Sequence, residues 1–144
     1  MVDIHCKSVR SYNMSRIKSK NTKPELIVRK FLFSNGLRYR IHNTELPGKP
    51  DIKLTKYKTL VNINGCFWHG HRGCRYFVLP KSRIKFWTDK IIKNRERDKR
   101  NLKVLRKIGW NVITVFECEL KENKDKTLNN ILSGIKKMNL NKNV

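Results

Sequence analysis

From Pro47 to Ile63 the chain reads PGKPDIKLTKYKTLVNI, and this stretch decides the architecture. Pro47-Gly48-Lys49-Pro50 is a turn. It delivers Asp51 to the start of a short strand, Ile52–Leu54. A second turn around Lys56 and Tyr57 leads into another strand, Thr59–Ile63. Upstream, Thr22-Lys23-Pro24-Glu25 opens a helix, because Thr and Glu three apart form a capping box and Pro suits the first turn. Leu26, Val28, Phe31 and Leu32 follow at helical spacing and Gly36 supplies the stop. Leu37, Tyr39 and Ile41 then alternate with Arg38, Arg40 and His42 as in a half-buried strand. Downstream lies a polar loop from Gly65 to about Arg75. A long basic helix follows over about Ser82–Ile108, closed by Gly109, then a buried strand over Trp110–Phe116. A last helix covers roughly Lys124–Met138, within a C-terminal helical segment 121–144. The order α-β-β-β-α-β-α predicts an α/β fold, a mixed β-sheet flanked by helices. With no repeat and no Gly/Ser-rich linker, residues 1–144 read as a single domain with a basic N-terminal arm over 1–20.

A chain of 144 residues is long enough to bury a real core, and 38% hydrophobic residues supply it. No apolar stretch approaches the ~18 residues of a membrane-spanning helix, so no membrane partner is expected. The segment Met1–Tyr12 mixes Asp3, His5, Lys7 and Arg10 without an apolar signal core. The expected compartment is the cytoplasm, where cysteines stay reduced. Lys and Arg number 34 against 11 Asp and Glu, a net charge of +23. That excess predicts a polyanionic partner, through attraction to phosphates and release of their counterions. It is densest in Lys7–Arg40 and Lys81–Lys107. Ribosomal proteins, chromatin proteins and nucleases share such a balance, so charge names a partner class and no activity.

The chemistry concentrates in Gly65-Cys66-Phe67-Trp68-His69-Gly70-His71-Arg72-Gly73-Cys74. Cys66, His71 and Cys74 carry the soft donors zinc prefers, and Cys118, at the far end of the last strand, offers a fourth. The alternative is that Cys66 and Cys118 are small core residues. His69 competes with His71 as a ligand, and the one not used is available as a general base. Phe67, Trp68 and Trp87 read either as local packing or as aromatic wedges between base steps; Met14 reads as an apolar probe or as a weakly packed terminal residue. Asp51, at a turn-to-strand junction, suits a carboxylate that holds Mg²⁺ beside a scissile phosphate, or caps a strand. The capping box already accounts for Glu25, and a second role near the metal is the additional reading.

Together these residues resemble the very short patch repair (Vsr) endonuclease family. The matching segments are Asn13-Met14-Ser15-Arg16-Ile17, the Glu25 helix start, Leu46–Asp51, Asn64–His69, Phe86-Trp87, Asn94-Arg95-Glu96-Arg97-Asp98, and Gly109-Trp110 through Glu117-Cys118-Glu119-Leu120. They run in family order from about Tyr12 to Leu120. The resemblance implies a core like that of type II restriction endonucleases with a structural Zn²⁺ site and a catalytic Mg²⁺ site. It implies nicking of double-stranded DNA 5′ of the mispaired T in a T·G mismatch, the lesion left when 5-methylcytosine deaminates. Carried over by motif, Asp51 and the backbone carbonyl of Ile63 bind Mg²⁺, His69 is the general base, and Glu25 assists through water. Cys66, His71, Cys74 and Cys118 hold zinc. Phe67, Trp68 and Trp87 enter the duplex from the major groove, and Met14 from the minor-groove side. A functional link to a cytosine-5 methyltransferase, a MutL-type repair partner, a monomeric state and a bacterial, nucleoid-associated location complete what the resemblance implies.

Three departures stand out. Asn64 occupies a position where well-known members often carry a catalytic His, removing one titratable group, although its amide can still contact phosphate or water. Ile63 replaces a Thr, and the zinc loop is one residue longer than in some relatives. The second acid and the lysine of the broader restriction-nuclease pattern are absent after Asp51, which agrees with what the Vsr resemblance implies. Asn64 is the one feature favouring a zinc-stabilised DNA-binding module that does not cut; a related nuclease acting on unmismatched sites is the other alternative.

Overall fold

The computed structural model describes residues 22–142. Helix α1 spans Lys23–Ser34, and the Thr22 hydroxyl accepts from the Glu25 backbone N–H. Strands β1 (Arg40–Ile41), β2 (Ile52–Leu54) and β3 (Thr59–Asn64) follow, with a 3₁₀ turn, Thr55–Tyr57, between the last two. Helix α2 spans Ile84–Lys107, strand β4 Asn111–Phe116, helix α3 Glu117–Glu122 and helix α4 Lys124–Lys142. The sheet order is β1-β2-β3-β4; the first two pairings are antiparallel and β3 runs parallel to β4. That parallel pairing needs a crossover, which α2 provides. The mixed sheet flanked by helices is therefore as expected.

The two-residue side-chain period of β3 divides the molecule. Val61 and Ile63 face one way and join Ile52, Leu54 and Val115 in the main core, which α1 closes with Val28 and Leu32 and α4 with Leu128, Ile131 and Ile135. Burying one such Leu or Ile contributes about 1.5–3 kcal/mol. Leu60 faces the other way, into a smaller cluster with Val112 and with Leu105 of α2. Asn62 and Asn64 share that second face, and there the sheet and α2 leave a cleft.

Three expectations change. The segment Leu37–Ile41 is not a strand throughout; only Arg40 and Ile41 pair, with Lys53 and Ile52. Leu37 instead completes the end of α1, donating its N–H to the Leu32 carbonyl while Gly36, at φ 81°, donates to Phe33. This two-bond stop places the next apolar side chain against the helix, so Leu37 is buried for that reason. The long helix begins at Ile84, two residues later than expected. The segment 121–144 is not one helix: Lys121 and Glu122 end α3, and the chain turns at Asn123 before α4. Among the described residues no helix is long and apolar enough to cross a membrane. The basic arm over 1–20 and Met14 lie outside the described residues.

Candidate active site and metal centre

Asp51 stands at the mouth of β2, where the 47–50 turn ends, and its Oδ2 accepts the Ile63 backbone N–H at 2.7 Å. Burial pushes its carboxyl up from 3.8 to about 6, against the pull of that N–H. The Glu25 carboxylate raises it further, by charge and by a side-chain hydrogen bond, and His69 opposes the rise. Glu25 is 2% exposed and meets Arg29, one turn along α1, at 2.7 Å; His42 lies 3.7 Å from the same oxygen. Two carboxylates crowded into a half-buried site are an arrangement that a hard cation relieves, and their oxygens suit Mg²⁺. Asp51, Glu25, Ile63, Asn64 and His69 all line one cleft of about 1010 Å³ between the sheet and α2.

His69 lies in the loop after β3, and its Nδ1 sits 2.6 Å from Oδ2 of Asp98 on α2. A carboxylate accepts, so Nδ1 carries the hydrogen, and in the neutral form of the ring Nε2 is left as the acceptor. That is the protonation pattern a base on water requires. His71, two residues on, turns the other way. Its ring stacks on Phe116 at 3.9 Å between centroids, and its Nδ1 lies 3.4 Å from the Cys118 sulfur. The two histidines thus separate in space, the His69 ring against Asp98 and the His71 ring among the sulfurs.

The donor atoms of Cys66, His71, Cys74 and Cys118 lie within 4.8 Å of one another. Tetrahedral zinc bonded to sulfur at about 2.3 Å would separate its ligands by about 3.8 Å, so a small contraction suffices. Three sulfurs and one imidazole form a soft set that fits zinc. Burial and the neighbouring sulfurs push the Cys118 thiol up to about 12 without a cation, and burial raises Cys66 as well. Cys118 sits inside α3 rather than at the strand end, where Glu119 accepts the Phe116 N–H at 3.1 Å and turns the chain from strand into helix.

Phe67, Trp68 and Trp87 converge, with centroids 5.1 Å apart for Phe67–Trp68, 5.4 Å for Phe67–Trp87 and 5.9 Å for Trp68–Trp87. Phe86, 45% exposed, extends the cluster outward. All three are half-buried, packed on one another with part of each ring in solvent.

The sequence profile described as "DNA mismatch endonuclease Vsr" matches residues 2–75. The "DNA mismatch endonuclease Vsr" of Escherichia coli is 40% identical over 121 residues, covering 84% of this chain and 77% of its own length. The chain belongs to the Vsr family. A "Type II nicking enzyme V.NmeAIP" of Neisseria meningitidis is 56% identical, over 84% of this chain and 86% of its own. The catalytic domain of the homing endonuclease I-Bth0305I shares the fold at a TM-score of 0.54 and 23% identity, covering 78% of this chain and 93% of that domain. The protein is therefore a DNA endonuclease of the Vsr family, and its basic charge has a DNA partner.

Within that Vsr frame, several residues of the site had no role assigned from sequence. Asp98 belongs to a segment that matches the family, yet nothing local marks it as the partner of His69, 29 residues away. It is one of three acids, with Asp89 and Glu96, in a strongly basic helix. Arg29 was not assigned either; the signal that could have found it is its i,i+4 spacing from Glu25. The capping box, conversely, explains only part of Glu25, whose carboxylate faces Arg29 and Asp51.

Proposed function

We propose that this Vsr-family protein cuts one strand of duplex DNA 5′ of the T in a T·G mismatch, in a Mg²⁺-dependent hydrolysis. The observation that carries the reading is the meeting of Asp51, Glu25 and His69 in one cleft, on a loop that also presents Phe67 and Trp68. Mg²⁺ held by Asp51 and the Ile63 carbonyl would supply charge for the phosphate in the transition state. His69 takes the proton of the attacking water at Nε2 while Asp98 keeps Nδ1 protonated and the ring aligned. Glu25, fixed by Arg29, orients water beside Asp51. Asn64 contacts phosphate or water through its amide.

The aromatic cluster supplies selectivity, because unstacking beside a wobble pair costs less than beside a Watson–Crick pair. Zinc held by Cys66, His71, Cys74 and Cys118 would tie the loop to α3 and so keep His69 and the wedge in place. A MutL-type partner, a cytosine-5 methyltransferase nearby and a monomeric state belong to the same reading. The name nicking enzyme, borne by relatives at 56% and 48% identity, fits a single-strand cut and leaves a second substrate in play, an unmismatched site.

The test is nicking of T·G, T·A and C·G versions of one duplex, with and without Mg²⁺. Cutting confined to the T strand of T·G with Mg²⁺ is the expected result. Equal cutting of all three moves the substrate to unmismatched sites. Binding without cutting in any of them establishes a non-cleaving module.

A further inference from the structure

Helix α2 grips the loop that carries the base. Asn94 Nδ2 donates to the Trp68 carbonyl at 2.9 Å, Asp98 meets His69 Nδ1 at 2.6 Å, and Arg95 Nε donates to the Gly70 carbonyl at 2.8 Å. Arg95 Nη2 donates to the same Gly70 oxygen. Three consecutive loop residues are thus held by three side chains on one helical face, since positions 94, 95 and 98 are neighbours at helical spacing. The loop lies flat against the helix: Gly70 has φ 59°, and a Cβ there would run into Ile91 and Arg95. Trp87 belongs to the same helix, about two turns before Asn94. The Arg95 guanidinium also lies over the Phe77 ring, 5.4 Å from its centroid, and Phe77 is 6.3 Å from Phe67. Arg95 therefore touches the backbone between His69 and His71 on one side and an aromatic neighbour of the wedge on the other.

In a helix this rich in Lys and Arg, the ordinary expectation for one more arginine is a phosphate contact. Arg95 differs because its Nε and one Nη are spent inward on a single carbonyl and its flat face on an aromatic ring. We propose that Arg95 is a positioning residue and not part of the DNA grip: it fixes the Gly70 carbonyl and thereby holds His69 in register with the Phe67–Trp68–Trp87 cluster. Insertion of the aromatics and placement of the base are then properties of one braced unit. This rests on the nicking reading above for its kinetic consequence and not for its structural one.

The test compares wild type with Arg95→Met, which keeps the length and apolar stem, and Arg95→Lys, which keeps the charge. Three quantities are measured: the salt dependence of duplex binding without Mg²⁺, hydrogen exchange of the amides of residues 65–71, and kcat for T·G nicking at saturating duplex with Mg²⁺. The expected result for Arg95→Met is an unchanged salt slope, loop exchange faster by about tenfold or more, and kcat lower by about tenfold to a hundredfold, the cost of a small misplacement of the base. Arg95→Lys stays several-fold slow, because an ammonium cannot reproduce the two-donor edge. A salt slope reduced by about 0.9 with exchange and kcat unchanged makes Arg95 a phosphate contact and overturns the proposal. Full recovery in Arg95→Lys does the same, and so does a kcat loss that only parallels loss of zinc or of melting temperature. If Arg95→Met does not fold, Arg95→Lys decides by itself. If wild type cuts no duplex, the nicking reading falls, and the brace is judged on exchange and salt slope alone.

Discussion

The cleft around Asp51 and the knot around Cys118 share one nine-residue run, Ile63 to His71, yet they are opposites. The cleft offers the oxygens of two carboxylates and stays open to a volume of about 1010 Å³. The knot offers three sulfurs and an imidazole, with Cys66 and Cys118 at 2% and 7% exposure. Between Ile63 and His71 the chain serves each in turn: Ile63 and His69 line the cleft, Cys66 and His71 enter the knot. Open, hard donors leave room for a substrate; closed, soft donors leave none. The loop's position in the cleft thus depends on the knot, which predicts a strict order of effects.

The largest effect belongs to the knot. Cys118→Ala, or stripping with a strong chelator, should cost several kcal/mol of stability and abolish nicking, because structural zinc contributes folding free energy directly. Metal analysis should find one zinc per chain before treatment. A zinc content well below one in an active preparation would break the contrast, leaving two buried cysteines as plain core.

Asp51→Asn comes next and should separate activity from stability. Nicking falls by about a thousandfold or more, since several kcal/mol of transition-state charge stabilisation is lost. Stability moves the other way. Asp51 has its folded pKa raised to about 6 from 3.8, so the folded state favours the protonated form. Above pH 6 the ionised group costs stability in the metal-free protein, and the cost disappears as pH falls through 6 towards 3.8. Asp51→Asn should therefore raise the metal-free melting temperature by a few degrees at pH 8, with the gain shrinking below pH 6. By the same linkage, Mg²⁺ should bind more weakly as pH falls below about 6, measured by titration calorimetry.

His69→Gln follows, with a loss of about a hundredfold, the usual worth of a positioned base. Asp98→Asn should lose about tenfold to a hundredfold and retain duplex binding, since it acts only through the ring it aligns. Unchanged pH–rate profiles in Asp98→Asn would remove the His69–Asp98 pair from the proposed mechanism.

What the sequence disclosed and what it concealed divides along the same line as the two sites. The β2–β3 hairpin was legible because its turns are built by Pro, Gly and short-range pattern, and so was the Cys/His loop, whose residue types are rare and clustered. Leu37 misled because its alternation with Tyr39 mimics a strand, whereas its burial comes from a hydrogen bond back to Leu32. Helix α3 was missed because it is a short six-residue helix that continues directly from a strand and is started by a side-chain bond from Glu119. Asp98, Asn94 and Arg95 carried no signal of their partners, because a helix face meets a loop some 25 to 29 residues away only after the chain has folded.

The smallest effect sharpens the cleft alone. Asn64 ends β3 on the face that lines the cleft, beside the Gly65 turn that leads to His69. An amide there offers donors and an acceptor but no titration. Asn64→His adds a second imidazole without touching the sulfur knot or the core, because residue 64 faces away from Val61 and Ile63. The expected change is less than tenfold in kcat, with unaltered zinc content and melting temperature and an added ionisation between about pH 6 and 7 in the rate profile. Activity appearing only in Asn64→His, from a wild type that binds and does not cut, would instead mean that Asn64 has converted an enzyme's cleft into a DNA-binding surface.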